Sequence, residues 1–176
     1  MENFLIREIT GGRKRMKHKV FVSYHHENDQ LQADYLRDVY GKDNAIFSDK
    51  SLEEALPSSW SNEEILSEIR TMHLADSTVT IVLIGSESAG RKWIDWEINA
   101  SLRPYGSRTR NGLLGIYLPT TTIVPARLQD NIDSGYAVTM KWENISWQLE
   151  SKIQDAFDNR ETQKFDNSRP LRVRNS

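Results

Sequence analysis

The chain has 176 residues, with 23 Lys+Arg against 25 Asp+Glu, a formal net charge of −2 and no cysteine. That length suits one compact domain, and near-neutrality lacks the field that holds DNA or RNA through their phosphates, so nucleic acid is not an expected partner. No apolar run approaches the ~18 residues of a membrane span, Met1–Thr10 does not read as a secretory signal, and the missing thiols exclude disulfides, thiolate zinc sites and iron–sulfur clusters, in keeping with a cytoplasmic setting.

Five β-rich runs alternate with helical segments. The first strand is Lys19–Tyr24, followed by a helix over Asn28–Tyr40 that sets Leu31, Tyr35 and Val39 on one face. A short second strand, Ala45–Ser48, leads to a helix over Ser61–Leu74. This helix opens on Ser61-x-x-Glu64, the pattern of a capping box, and directs Ile65, Ile69 and Met72 inward. The third strand, Thr78–Ile84, is apolar almost throughout and stops at Gly85. A helix over Arg91–Leu102 follows, with Ile94, Ile98 and Leu102 at spacing four. After the polar turn Gly106–Gly112 comes a fourth strand, Leu113–Leu118, stopped by Pro119. Thr120–Gly135 reads as an irregular loop. The fifth strand is Ala137–Trp142, and the last helix, Ser146–Phe157, directs Leu149, Ile153 and Phe157 inward.

Near-continuous Val/Ile/Leu strands are covered on both faces. The expected fold class is therefore α/β: a three-layer, flavodoxin-like sandwich with a five-stranded parallel sheet in the order 2-1-3-4-5. Residues 1–18 form a basic N-terminal extension, 19–158 the domain, and 159–176 a polar C-terminal tail carrying Arg169, Arg172 and Arg174. Both ends read as solvated tails or, alternatively, as partner-binding or phosphate-attracting extensions.

In that strand order, ligands bind beyond the carboxyl ends of strands one and three, where the winding reverses. Strand one ends in Ser23-Tyr24-His25-His26. Strand three ends in Gly85-Ser86-Glu87-Ser88, ahead of the helix with Arg91, Trp93 and Glu97. Trp93 and Glu97 share a helix side, and Glu97 lies ~60° around the helix from Ile94, at the border of the apolar stripe. A carboxylate there is either a structural residue or a desolvated, oriented group suited to stabilising positive charge on a sugar. The same spacing recurs at Trp60 and Glu64, so position rather than spacing singles out Glu97.

Other chemistries find no support. There is no G-x-G-x-x-G and no Walker A loop. Ser86-Glu87-Ser88-Ala89-Gly90 has Ser where a nucleophile elbow needs Gly. His18, His25, His26 and His73 do not form H-E-x-x-H, so no metal is expected, and Ser86 stands where a phosphorylated receiver would need aspartate.

Lys19-Val-Phe-Val-Ser-Tyr24 resembles the opening strand of TIR domains. Gly85-Ser86-x-Ser88-x-x-Arg91-x-Trp93-x-x-x-Glu97-Ile98 resembles their third strand and the helix after it. The Ser-Tyr-His ending and Arg91-Lys-Trp93-Ile-Asp-Trp-Glu97-Ile98 look like the TIR-like proteins of bacterial Thoeris antiphage defence. The resemblance spans roughly Lys19 to Phe157. It implies cleavage of the nicotinamide–ribose bond of NAD as substrate, with no further cofactor, and a cyclic ADP-ribose-type product that activates a separate effector. It also implies a phage-derived trigger and a homo-oligomer, with no membrane partner. The family's catalytic glutamate falls on Glu97. Substrate contacts fall on Ser23, Tyr24, His25, Ser86, Arg91 and Trp93, and on Asp49 in the loop after strand two. Two departures stand out: His25 follows Ser-Tyr where the family often has a basic residue, and Asp49–Trp60 lacks the usual Gly-rich signature. Tyr24 or Trp93 either stacks on a base or packs in the core. A non-enzymatic adaptor and a nucleoside deoxyribosyltransferase-like enzyme are the alternative readings.

Overall fold

The structure, a computed structural model, describes residues 18–41, 44–47 and 56–176. Its centre is a parallel sheet in the order β2-β1-β3-β4-β5. β1 (Val20–Ser23), β3 (Val79–Ile84), β4 (Gly112–Tyr117) and β5 (Val138–Lys141) form its body, and β2 (Ala45–Phe47), only three residues long, pairs along β1. The expected strands therefore stand to within a residue or two at their ends, with Ser48 outside the described residues.

Alternate strand residues feed opposite layers, as the pleat requires. Val20, Val22, Val79, Ile81, Leu83, Leu114 and Ile116 pack under α1 (Gln30–Tyr40) and the long C-terminal helix. Val82, Ile84 and Leu113 pack under the helices of the other face, where Phe21 joins Leu66, Ile69, Trp93 and Trp96. Helices thus cover both faces, and the buried runs explain why the strands read as continuous apolar stretches.

α2 (Asn62–Glu68) begins with the expected capping box: Ser61 Oγ accepts from the Glu64 backbone N–H, and the Glu64 carboxylate accepts from the Ser61 N–H at 2.7 Å. The helix then widens into a π-helical turn over Ile69–His73, where the Leu74 N–H donates to the Ile69 carbonyl. That extra residue shifts the helical register. Ile69 and Leu74 point inward, and Met72, expected inside, is 68% exposed.

α1 sets Leu31, Tyr35 and Val39 on one face, as expected, and that face is the outer one. Its buried face is Ala33, Leu36 and Tyr40. Both stripes have helical spacing. The buried one is fixed by Tyr40, whose hydroxyl donates to the His18 carbonyl, and by small Ala33, which lets the helix approach the sheet.

α3 (Lys92–Ser101) follows β3 and buries Ile94, Ile98 and Leu102 as expected. The stretch Thr120–Gly135, expected to be irregular, contains α4 (Ala126–Asp133). Its buried residues are Arg127, Leu128 and Asn131. Two of these three are polar, so no apolar stripe announces the helix. α5 (Ile145–Thr162) runs five residues past the expected Phe157.

Residues 163–176 lie at the surface, as expected of a polar tail, but are tied down. They form a strap laid across α3 and α4. Asn131 holds the Asp166 main chain through both its N–H and its carbonyl, Asn167 joins Asn99 to Arg127, and Arg127 donates to the Pro170 carbonyl. Buried polar groups on the helices need partners, and a polar strap supplies them. Of the N-terminal extension, only His18 is described: it stacks on Phe157 at 4.0 Å and hydrogen-bonds Gln154 on α5. No helix among the described residues is long and apolar enough to cross a membrane.

Candidate active site

β1 and β3 are adjacent, and their chains leave to opposite faces, α1 to one and α3 to the other. β1 ends at Ser23, which is fully buried on the α3 side, the same side as Phe21. Glu97, on the second turn of α3, is 2% exposed and accepts a hydrogen bond of 2.5 Å from the Ser23 hydroxyl. A carboxylate from one element and a hydroxyl from another thus meet at the carboxyl rim of the sheet, where the winding reverses.

The rotation of α3 that produces this meeting is fixed from both sides. The Ser101 hydroxyl donates to the Glu97 carbonyl at 2.7 Å and so accepts from Thr80 on β3 at 2.7 Å. On the far side Asp95 pairs with fully buried Arg127 (2.9 Å) and accepts from the Arg172 N–H at 2.8 Å. Trp96 Nε1 donates to the Arg172 carbonyl, and the first N–H of the helix, at Lys92, donates to Asn175 Oδ1 at 2.7 Å. Every residue from Trp93 to Ser101 is buried in consequence.

The remaining sequence candidates divide. Tyr24 is buried, its hydroxyl donating to Gln30 Oε1 at 3.1 Å and its ring 4.5 Å from that of His26. Burial raises the pKa of its phenol, against the Gln30 hydrogen bond. His25 is buried beside it in sequence. Ser86 is exposed, and its carbonyl accepts from Thr122 Oγ1. Arg91 pairs with Glu87 and holds that carboxyl below its usual range. Trp93 lies in the apolar cluster with Leu66, Ile69 and Phe21, so its indole packs in the core on this face. Asp49 lies outside the described residues. Among the described residues no group of three His, Asp or Glu side chains is placed to hold a metal ion.

One buried acid at the same edge of the sheet, below Gly85, escaped the sequence reading. Asp29 precedes α1 but makes no side-chain cap. Its carboxylate turns under the β3–α3 loop, where a Cβ on Gly85 would lie 2.3 Å from Asp29 Oδ1. Gly85 is thus required by this close approach. Asp29 Oδ2 is buried and makes no hydrogen bond. Burial pushes its pKa up to about 6, against the opposing effect of the His25 main chain and the Ser88 side chain, and the Glu87 charge adds to the rise. Ser88 in turn accepts from the Gly85 N–H and donates to the Leu83 carbonyl, tying the loop to the strand end. The available signal was an acidic residue at the start of a helix leaving strand one.

The sequence profile of the family described as "Thoeris protein ThsB, TIR-like domain" matches residues 21–123, more than half of the chain. The chain belongs to this TIR-like family. The match takes in both Ser23 and Glu97 and ends before α4 and the strap. A solved structure of TIR domains, from the activated Roq1 resistosome directly recognizing the pathogen effector XopQ, is similar over 82% of each chain, at 11% identity and a TM-score of 0.38. No curated protein matches this TIR-like chain.

Proposed function

We propose that this TIR-like protein cleaves the nicotinamide–ribose bond of NAD and that Glu97 stabilises the sugar cation that forms. The observation that carries the reading is the Ser23–Glu97 hydrogen bond at the rim between β1 and β3, with the carboxylate almost wholly out of water. A dinucleotide placed there presents its nicotinamide ribose to a fixed, desolvated negative charge. The bond between C1′ and the pyridinium nitrogen breaks with its electron pair going to nitrogen, so nicotinamide leaves neutral and needs no general acid. The oxocarbenium-like ribose is what Glu97 orients through its hydroxyls and stabilises. Water capture at C1′, with loss of a proton, gives ADP-ribose. Capture by a hydroxyl of the same molecule gives a cyclic isomer, which requires a folded substrate and excluded water. Family membership favours the cyclic product, acting in the cytoplasm as a signal to a separate effector in antiphage defence after a phage-derived trigger, with assembly of several chains as part of activation.

The test is incubation of the full chain with NAD and lysate from infected cells, with products resolved by mass. Nicotinamide and an ADP-ribose isomer are expected, and Glu97→Gln is expected to lower their yield ~100-fold or more. Full cleavage by Glu97→Gln would sink the reading. A second reading, a non-enzymatic interaction module, draws on the exposed apolar face of Leu31, Tyr35 and Val39 on α1. Such a module tolerates Glu97→Ala and loses function when that face is changed. A deoxyribosyltransferase-like enzyme would turn over nucleosides and leave NAD intact in the same assay.

A further inference from the structure

The C-terminal strap, the start of α3 and the start of α4 border an open cavity of about 290 Å³ that the Ser23–Glu97 pair does not use. Arg91, Arg169 and Arg172 line it, with Asp95, Pro125 and Ala126. Its hydrogen-bonding groups do not balance. Arg169 is matched by a two-point contact with Asp130 at 2.7 and 2.8 Å, and Arg91 pairs with Glu87. Asp95, the one acid lining the cavity, has both oxygens engaged, by Arg127 and by the Arg172 N–H. The Arg172 guanidinium forms no ion pair with the described residues and donates only to the Ser176 hydroxyl, at 3.1 Å. Arg91 Nε is buried and makes no hydrogen bond. α4 opens onto the same space at Pro125 and Ala126 with no side-chain cap and no acid in its first turn. One guanidinium without an ion pair, that of Arg172, and one buried donor without an acceptor, Arg91 Nε, therefore face the cavity beside an uncapped helix start.

We infer that this cavity is a binding site for a small phosphate-bearing molecule, a diphosphate or the diphosphate of a nucleotide. Guanidinium forks match phosphate oxygens two at a time, and a helix start adds aligned N–H groups and a partial positive charge. Asp95 and Glu97 are two positions apart on α3, ~200° around the helix, so the cavity lies across the helix from the Ser23–Glu97 pair. The inference does not rest on NAD cleavage. It gives the arginines of the C-terminal stretch a ligand, and it places that ligand against the end of the helix that carries Glu97.

The test is isothermal titration calorimetry of the full chain with inorganic diphosphate and with ADP, against sodium chloride of equal ionic strength. Saturable binding beyond the salt control is expected. Arg172→Gln is expected to weaken it about tenfold or more, with an unchanged urea midpoint in the absence of ligand, because residue 172 holds the strap through its main-chain N–H and carbonyl. Arg172→Lys, which keeps the charge and loses the fork, is expected to fall between the two and serves as the deciding variant if Arg172→Gln does not fold. Glu97→Gln is expected to bind as the unaltered chain does. Tighter binding of ADP than of diphosphate identifies a nucleotide site, and equal binding identifies the diphosphate as the whole determinant. No saturable binding at millimolar concentration, equal affinity in both Arg172 variants, or loss of binding in Glu97→Gln would each overturn the inference.

Discussion

Asp29 keeps its carboxylate under Gly85 with one oxygen buried and unbonded, and this gives the stability of the fold a defined dependence on pH. In the folded chain it binds its proton with a pKa of about 6, against an ordinary value of 3.8. Between those values the folded state holds more protons than the unfolded state, so stability falls as pH rises through that window. The loss is about 3 kcal/mol at most. Asp29→Asn keeps the shape and removes the titration. Urea midpoints measured from about pH 4 to about pH 7 should decline for the unaltered chain and flatten for the variant. Ser23→Ala has a different signature. It withdraws a donor from a buried carboxylate, with an expected cost of about 1–3 kcal/mol in denaturation and about a tenfold fall in any NAD cleavage. Glu97 and Ser23 were legible in the sequence because each closes a local pattern, the end of a strand or the edge of a helical stripe. Asp29 was not, because an acid ahead of a helix ordinarily reads as a cap, and this one turns away from its own helix to a strand end more than fifty positions on.

At the scale of elements, α3 is keyed to its neighbours by the buried Asp95–Arg127 ion pair, by hydroxyl contacts with Ser23 and Thr80, and by hydrogen bonds to the strap. Arg127→Met leaves Asp95 buried with only the Arg172 N–H, and is expected to cost about 3 kcal/mol. The double variant Asp95→Leu/Arg127→Met should recover much of that loss in the same urea titration, since an apolar pair of similar volume replaces a desolvated one. At α2, Ser61→Ala breaks the capping box and should cost about 1 kcal/mol. Elements announced by apolar periodicity were legible in the sequence: the strands, the capping box of α2 and the stripe of α3. Where burial is carried by polar side chains, as at Arg127 and Asn131 of α4, that signal is missing. Where the period changes, as at the π-helical turn that sends Met72 outward, it misleads. α1 offers two stripes of helical spacing, and only the contacts of Ala33 and Tyr40 with the sheet and with His18 decide between them.

Over the whole molecule, α3 lies between the sheet and the strap, and each side contributes to the pose of Glu97. A chain ended at Thr162 loses the Asn175 cap of α3, the Trp96–Arg172 contact and the Asn99–Asn167 pair together. Hydrogen exchange should then report faster opening of α3, including the turn at Glu97, while amides of β3 and β4 stay protected. The strand order and the rim where the site lies follow from an alternation that is local along the chain. The strap does not, because its hydrogen-bond partners on α4 and α3 are 35 to 83 positions away and its composition is that of a solvated end.

That separation has a bearing on how the protein is made. During synthesis the strands and helices through α4 leave the ribosome well before residues 166–176, so Arg127 and Asp95 must wait for the groups that complete their shell. The helix bearing Glu97 is finished only by a stretch that emerges later, and a nascent chain halted short of it would carry the acidic side chain without the scaffold that aims it.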